Sequence, residues 1–312
     1  MSAPSLAGAR AVVTGSAGFI GAHLVEALAE RGAAVIGIDR RAMPVRAPGR
    51  HLCVDLVDPG TDALLHDVLG DADLVFHLAA RPGVRGTGPD IELVRRRDNV
   101  DATRNVLACT PGDVPVVVTS SSSVYGGARI VGGVLRPSHE SDELHPLGGY
   151  AGSKVAVEQL CASRADAGGI VTVVRPFSVV GECQRSDMAI TRWLRAAVAG
   201  APLQILGSPD RSRDFTDVAD VVRALVVLGM RGETTTVNVG TGRSHTLSEV
   251  VRAVGDAVGR EMAIEVAPAG TEEPHATRAH AGRCERVCGF VPETDLVDVV
   301  HRQLDQALTR AA

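Results

Sequence analysis

Short apolar runs alternate with longer amphipathic stretches through the first half of the chain. Ala11-Val12-Val13 is followed by helical spacing through Leu24 and Leu28, and then by Ala34-Val35-Ile36-Gly37-Ile38, a β-α-β rhythm. Further strands are predicted at Asp73–His77, Val114–Val118 and Ile170–Val174. Each is separated from the last by enough chain for a crossover helix, which parallel neighbours require. The pattern predicts an α/β fold with a doubly wound parallel sheet.

After Pro176 the rhythm loosens. Helical patterns run from Asp187 to Val198, Val218 to Leu228 and Leu247 to Val258, around a Gly/Pro-rich stretch from Gly200 to Asp210. A smaller C-terminal α/β domain is expected there. Helices are also expected at Asp90–Ala108 and Gly149–Ser163, and loops at Gly126–Pro137 and Ala267–Pro274.

Composition narrows this picture. Aromatic residues make up only 3% of the chain while 45% is hydrophobic, so the core is built from Val, Leu, Ile and Ala, which disfavours an aromatic-rich β-sandwich. The net charge of −5, with basic residues dispersed, argues against nucleic acid or an anionic membrane as partner. No basic region precedes an apolar run at the start, and no run approaches the ~20 residues of a membrane span; a cytoplasmic protein is expected. The six cysteines form no C-x-x-C pair. Cys284 and Cys288 with His275 and His280 read as helix thiols beside surface histidines, and no metal is expected.

Thr14-Gly15-Ser16-Ala17-Gly18-Phe19-Ile20-Gly21 follows the first strand and opens the first helix, the setting of a dinucleotide fingerprint. Gly15 suits the tight turn, Gly18 the approach of a pyrophosphate, and Gly21 close helix–strand packing, with the helix N-terminus at Phe19 and Ile20 favouring negative charge. Asp39 ends the second strand, where a carboxylate accepts from adenosine ribose hydroxyls. Such a charge repels a 2′-phosphate, so NAD is expected over NADP despite Arg40 and Arg41. Asp55 is a further candidate for the adenine end.

The chain contains two tyrosines and one lysine, and Tyr150 and Lys154 lie four apart. On a helix they share a face, and an ammonium beside a phenol of ordinary pKa ~10 favours the phenolate. A compact ammonium also binds a ribose differently from a planar guanidinium. Upstream, Thr119-Ser120-Ser121-Ser122-Ser123-Val124-Tyr125-Gly126 follows the strand Val116-Val117-Val118, placing hydroxyls at a carboxyl strand end, where parallel sheets bind ligands.

Together with His77-Leu78-Ala79-Ala80, Arg97-Asp98-Asn99-Val100, Arg175-Pro176-Phe177 and Arg213-Asp214-Phe215-Thr216-Asp217, these motifs resemble the extended short-chain dehydrogenase/reductase family, specifically its nucleotide-sugar epimerases and dehydratases. The resemblance implies a Rossmann domain over residues 1–176, to which 211–239 return, and a mainly sugar-nucleotide domain over 177–312. It makes Ser121, Tyr150 and Lys154 the catalytic group and places Leu56, Leu78, Ala79, Ala80 and Asn99 with the cofactor. It assigns Arg85, Ser122, Ser123 and Phe177 to the substrate and Arg213 to its diphosphate; Ser178 stands where relatives have an asparagine, and Arg278 is the substitute available where the family's R-x-G-D pattern is missing. Arg185 and Met188 lie in a stretch similar to one in UDP-glucuronate 4-epimerases, where the arginine faces the sugar carboxylate. Family dehydratases and decarboxylases carry acidic residues where Ser122 and Ser123 stand here. The reading is therefore an NAD-dependent 4-epimerase of a nucleotide-diphosphate sugar, acting as a homodimer. A ketosugar reductase or dehydrogenase is the rival, and a non-catalytic sensor a more distant one.

Overall fold

The computed structural model describes residues 6–43, 47–83 and 88–309. Its central sheet begins with β1 (Arg10–Thr14), β2 (Ala34–Asp39), β3 (Arg50–Cys53), β4 (Leu74–His77) and β5 (Val116–Thr119). A separate antiparallel hairpin of β6 (Arg129–Val131) and β7 (Val134–Arg136) follows, and then β8 (Val171–Pro176). The seven-stranded sheet runs in the order Thr235–Val239, β8, β5, β4, β1, β2, β3, and every pairing from β8 to β3 is parallel. The sheet thus has the doubly wound Rossmann-like α/β form the apolar runs predicted.

The chain divides into two compact units. The first comprises Met1–Val124, Leu144–Arg175 and Val222–Val237; the second comprises Tyr125–Glu143, Pro176–Val221 and Asn238–Ala312. In the first unit, α1 (Phe19–Glu30) buries Leu24, Val25 and Leu28 along one stripe. Its other helices are α2 (Asp62–Gly70), α3 (Ile91–Arg95), α4 (Ala102–Cys109) and α5 (Gly148–Asp166). Val12, Val75, Val116, Val118 and Val173 from the sheet meet Leu65, Leu69, Val106 and Val157 from the helices in one core. β-branched residues on a pleated surface pack against flexible helix leucines, so this core needs no aromatics.

In the second unit, α6 (Ala189–Ala199) and later helices surround their own core. α7 (Val218–Arg231) begins in this unit and crosses into the first. It is followed by α8 (Leu247–Ala257), α9 (Gly282–Cys288) and α10 (Leu296–Thr309). Ile190, Trp193 and Leu194 of α6 pack with Val250 and Val254 of α8 and Val299 and Val300 of α10. Replacing one such buried leucine with alanine costs about 2–5 kcal/mol. α8 starts with a capping box in which Thr246 and Glu249 bond each other's backbone N–H, the S/T-x-x-E signature of a helix start.

Three segments depart from the expected elements. The stretch 126–137 contains β6 and β7 rather than a plain loop; Gly132 and Gly133 both take positive φ, +58° and +80°, the turn geometry that Gly-Gly supports in a two-residue hairpin. The Gly/Pro-rich stretch after Gly200 contains a strand, Leu203–Leu206, paired in parallel with Ile264–Ala267. The helix expected from Asp90 is helical from Ile91 to Cys109, but a π-helical segment, Arg96–Asp101, interrupts it. Asn99 sits within that segment.

Candidate active site

The glycine turn packs against the chain's own backbone too closely for side chains at Gly15 and Gly21. Gly15 has φ +72°, and a Cβ there would lie 2.7 Å from the Ala79 nitrogen; at Gly21 it would lie 2.1 Å from the Gly15 carbonyl oxygen. Gly18 is the N-cap of α1 and supplies no side-chain acceptor, so the first amides of the helix, at Phe19 and Ile20, lack a side-chain cap and suit an anion.

Asp39 ends β2 beside this turn. One of its oxygens accepts from Ala17 N–H at 3.1 Å and the other from Arg41 N–H at 2.9 Å, while Arg41 donates to the Ala17 carbonyl at 2.8 Å. Arg40 instead pairs with Asp98 at 3.0 Å. Asp55 accepts from Arg97 at 2.7 Å; burial pulls its carboxyl up, but the Arg97 hydrogen bond and charge with the Val57 amide hold it below the usual range. Leu56 is buried, and its carbonyl accepts from Asn105. Leu78, Ala79 and Ala80 follow β4, and Ala79 N–H lies 3.3 Å from Thr14 Oγ1.

Asn99, fully buried, accepts from Arg81 N–H at 2.6 Å and donates to Ser153 Oγ at 2.8 Å; Ser153 in turn donates to the Tyr150 carbonyl at 2.7 Å. The π-helical segment therefore holds α5 at the turn that carries Tyr150. A π turn is a frequent device at functional sites because it re-aims a side chain.

On α5, Tyr150 is partly exposed and Lys154, one turn on, is buried. Lys154 Nζ donates to the Thr119 carbonyl at 2.8 Å, at the carboxyl end of β5. Burial lowers the lysine to about 8, with the Glu158 carboxylate pulling the other way, so the ammonium form still predominates at pH 7. Ser121 follows two residues later, and its Oγ accepts from Ser123 N–H at 3.1 Å; Ser122 and Ser123 begin a short 3-10 turn.

Sequence reasoning missed the support beneath this group. Glu158, one turn beyond Lys154, accepts from Ser120 Oγ at 2.6 Å and from Arg175 Nε and Nη2 at 2.9 and 2.6 Å. The i, i+4 spacing of Lys154 and Glu158 was a visible signal; the partners on β8 and after β5 were not.

The other candidates fall in the second unit. Phe177 is buried, its ring stacked on Tyr125 with centroids 6.3 Å apart, and its N–H donates to the Val239 carbonyl. The Ser178 carbonyl accepts from Thr216. Arg185 forks onto both oxygens of Asp187, at 2.9 and 2.7 Å, and Met188 is the N-cap of α6. Arg213 pairs with Glu273 at 3.2 Å and donates to the Ser212 and His275 carbonyls. Arg278 donates to the Gly242 carbonyl at 2.7 Å. Asp214, part of the Arg213–Asp217 motif but given no role by the sequence, is fully buried and accepts from Thr241 N–H and Oγ1, Gly242 N–H and Ala279 N–H. It anchors the loops on which Arg213 and Arg278 sit. Arg85 lies outside the described residues. Among the described residues, no helix is long and apolar enough to cross a membrane.

A parallel sheet with a glycine turn after β1 and a Tyr-x-x-x-Lys helix beside β5 defines a dinucleotide-dependent enzyme of the short-chain dehydrogenase/reductase type. Residues 11–240 match the model of the NAD dependent epimerase/dehydratase family, and the chain belongs to that family. It is 33% identical over 306 residues to the Bacillus subtilis (strain 168) protein named "Uncharacterized UDP-glucose epimerase YtcB", covering 92% of this chain and 94% of that one. It is 30% identical to a UDP-N-acetyl-alpha-D-glucosaminuronate decarboxylase of Bacillus cytotoxicus, with 91% and 92% covered. Among solved structures, it is similar to MoeE5 in complex with UDP-glucuronic acid and NAD, with TM-score 0.86 and 37% identity, covering 97% of this chain and all of that one.

Proposed function

We propose that the protein is a UDP-sugar 4-epimerase that retains NAD and takes UDP-glucuronate as its leading candidate substrate. One observation carries the reading: the chain's only lysine is buried one helical turn from Tyr150 and bonded to the strand end that bears Ser121. The first unit would hold NAD, with the α1 N-terminus and the glycine turn facing the pyrophosphate and Asp39 the adenosine ribose. NAD, when bound, supplies a reversible hydride acceptor. Tyr150 takes the proton of the sugar 4-hydroxyl and later returns it, Ser121 hydrogen-bonds the same oxygen, and Lys154 keeps the phenol acidic.

The residues after Ser121 support epimerisation over the other reactions of the family. Elimination and decarboxylation call for a further acid or base; Ser122 and Ser123 supply hydroxyls instead. In the second unit, Arg213 and Arg278 are the proposed diphosphate ligands. Arg185 suits a sugar carboxylate if it releases Asp187, which it holds through a two-residue loop. UDP-glucuronic acid with NAD in MoeE5 supports that substrate class. A homodimer joined through α3, α4 and α5 is part of the proposal, to be checked by light scattering.

The test is NMR of the purified protein incubated with UDP-glucuronate, UDP-glucose or dTDP-glucose, without added cofactor. Inversion at C4 of one of them is expected, and Tyr150→Phe should abolish turnover while NAD stays bound. Turnover only when NAD(P)H is consumed would replace the epimerase with a ketosugar reductase.

A further inference from the structure

The second unit holds a group of ionisable side chains for which the proposed reaction has no use. An isolated parallel bridge pairs Ser138 with Ala279, fixed by Ser138 N–H to the Arg278 carbonyl at 2.8 Å and His280 N–H to the Ser138 carbonyl at 2.9 Å. Residues one step beyond a parallel pair lie abreast on one face. His139 and His280 occupy those positions, and their ring centroids are 4.7 Å apart. Glu140 follows. Its side chain is fully buried, one oxygen accepts from Asn238 N–H at 3.0 Å, and the other lies 3.8 Å from His139 Nε2.

One ligand atom from each of His139, Glu140 and His280 lies within 4.8 Å of the other two. A tetrahedral ion at about 2.0–2.2 Å from each would set ligand atoms roughly 3.4 Å apart, so side-chain rotations on the order of 1 Å complete the site. Arg283 Nε stands 3.9 Å from the same Glu140 oxygen, an ion pair that a cation at this place would have to share or displace. His139 Nδ1 lies 2.8 Å from Ser141 Oγ and 3.2 Å from Ser141 N–H. Ser141 N–H donates to that nitrogen; with metal on Nε2 the ring proton moves to Nδ1, the backbone contact is given up, and Nδ1–H donates to Ser141 Oγ, the outer contact that orients a ligating imidazole.

We propose that His139, Glu140 and His280 bind one divalent cation of the zinc class, joining the segment that follows the β6–β7 hairpin to the segment that carries Arg278. Two imidazole nitrogens and a carboxylate oxygen suit zinc far better than magnesium or calcium. The set departs from the sequence expectation of no metal, and it is not the Cys284, Cys288, His275, His280 grouping set aside there. Ser138 and Arg278 are already bridged through backbone, and the ion would fix the same junction through side chains 141 residues apart in sequence (280 − 139).

The full-length chain, without a histidine tag and stripped with EDTA, is titrated with ZnCl2 by calorimetry and melted with and without ZnCl2. One equivalent should bind, with the thermal midpoint rising by several degrees. His139→Ala and His280→Ala should each weaken binding at least tenfold and remove the thermal shift, with folding confirmed by circular dichroism. The histidine variants are preferred to changes at Glu140, whose loss would also release Asn238. Absence of stoichiometric binding at 100-micromolar ZnCl2 (about 10⁻⁴ M, a generous ceiling for a structural zinc site) overturns the proposal. So does stoichiometric binding that survives the double histidine variant, which would place the ion elsewhere.

Discussion

Lys154 donates to the carbonyl oxygen of Thr119 over 2.8 Å, so the lone lysine is anchored by the backbone of β5 rather than by a carboxylate. A buried ammonium with a neutral partner keeps its charge for its surroundings, at a cost in stability. Burial lowers its pKa from 10.5 to about 8. Between those values the unfolded chain holds the proton more tightly than the folded one, so this group makes stability rise with pH from about 8 to 10.5. Relative to Lys154→Met, the wild type should gain about 2 kcal/mol between pH 7.5 and 9.5, read from urea denaturation of both proteins. The same variant should lower kcat by about 10²–10³-fold while NAD remains bound.

Glu158 and Arg175 form a buried bidentate pair beneath that lysine, with side chains 11% and 6% exposed. Removing one partner strands the other charge, so Glu158→Leu alone or Arg175→Met alone should each cost about 3–5 kcal/mol. Glu158→Leu combined with Arg175→Met should recover most of that loss, because two apolar groups need no counter-charge. Equilibrium unfolding of the two singles and the double gives the coupling. Equal losses at each step, with no recovery, would show that shape rather than charge holds this layer.

The sheet was legible because its strands are short and mostly apolar and are separated by amphipathic stretches, so period and spacing agreed at β1, β2, β4, β5 and β8. The hairpin at 129–136 was not. Its strands span three residues each, and Ile130, Val131 and Val134 are exposed, so no burial pattern marks them; only Gly132-Gly133 did. In the site, Tyr150 and Lys154 were legible because spacing along one helix is a sequence property. Glu158 with Arg175, and Asp214 with Ala279, are pairings across 17 and 65 residues, and nothing local announces them. Arg185 and Asp187 stand two residues apart, yet nothing in the sequence shows that this carboxylate occupies the guanidinium fork.

Gly21→Ala tests the first unit's dinucleotide role without touching a charged group. The added methyl would sit 2.1 Å from the Gly15 carbonyl oxygen, which is backbone and has little room to yield, so the turn must open. Bound NAD in the purified variant should fall at least tenfold, as read by absorbance after denaturing the protein. Gly70→Ala, where a Cβ would meet nothing within 4 Å, should leave it unchanged. Equal NAD content in the two variants would remove the glycine turn from the cofactor's binding site.

His77 makes the sharpest pH prediction. Thr103 Oγ1 donates its own proton to the Asn99 carbonyl at 2.6 Å, so at 2.9 Å from His77 Nε2 it can only accept. Nε2 therefore carries the ring proton, and Nδ1 accepts from Thr14 Oγ1 at 2.7 Å. Both nitrogens are satisfied only in the neutral ring. Burial, with the Lys154 charge adding to it, lowers the histidine from 6.5 to about 3. Below pH 6.5 the unfolded chain takes up a proton that the folded one refuses, so stability falls as pH drops from 6.5 towards 3. Between pH 7 and 5 the wild type should lose about 2 kcal/mol more than His77→Asn, which titrates nothing at this position. Urea midpoints for both proteins at the two pH values measure it. Parallel losses would mean that the ring accepts a second proton inside the fold, and that the Thr14 contact opens to allow it.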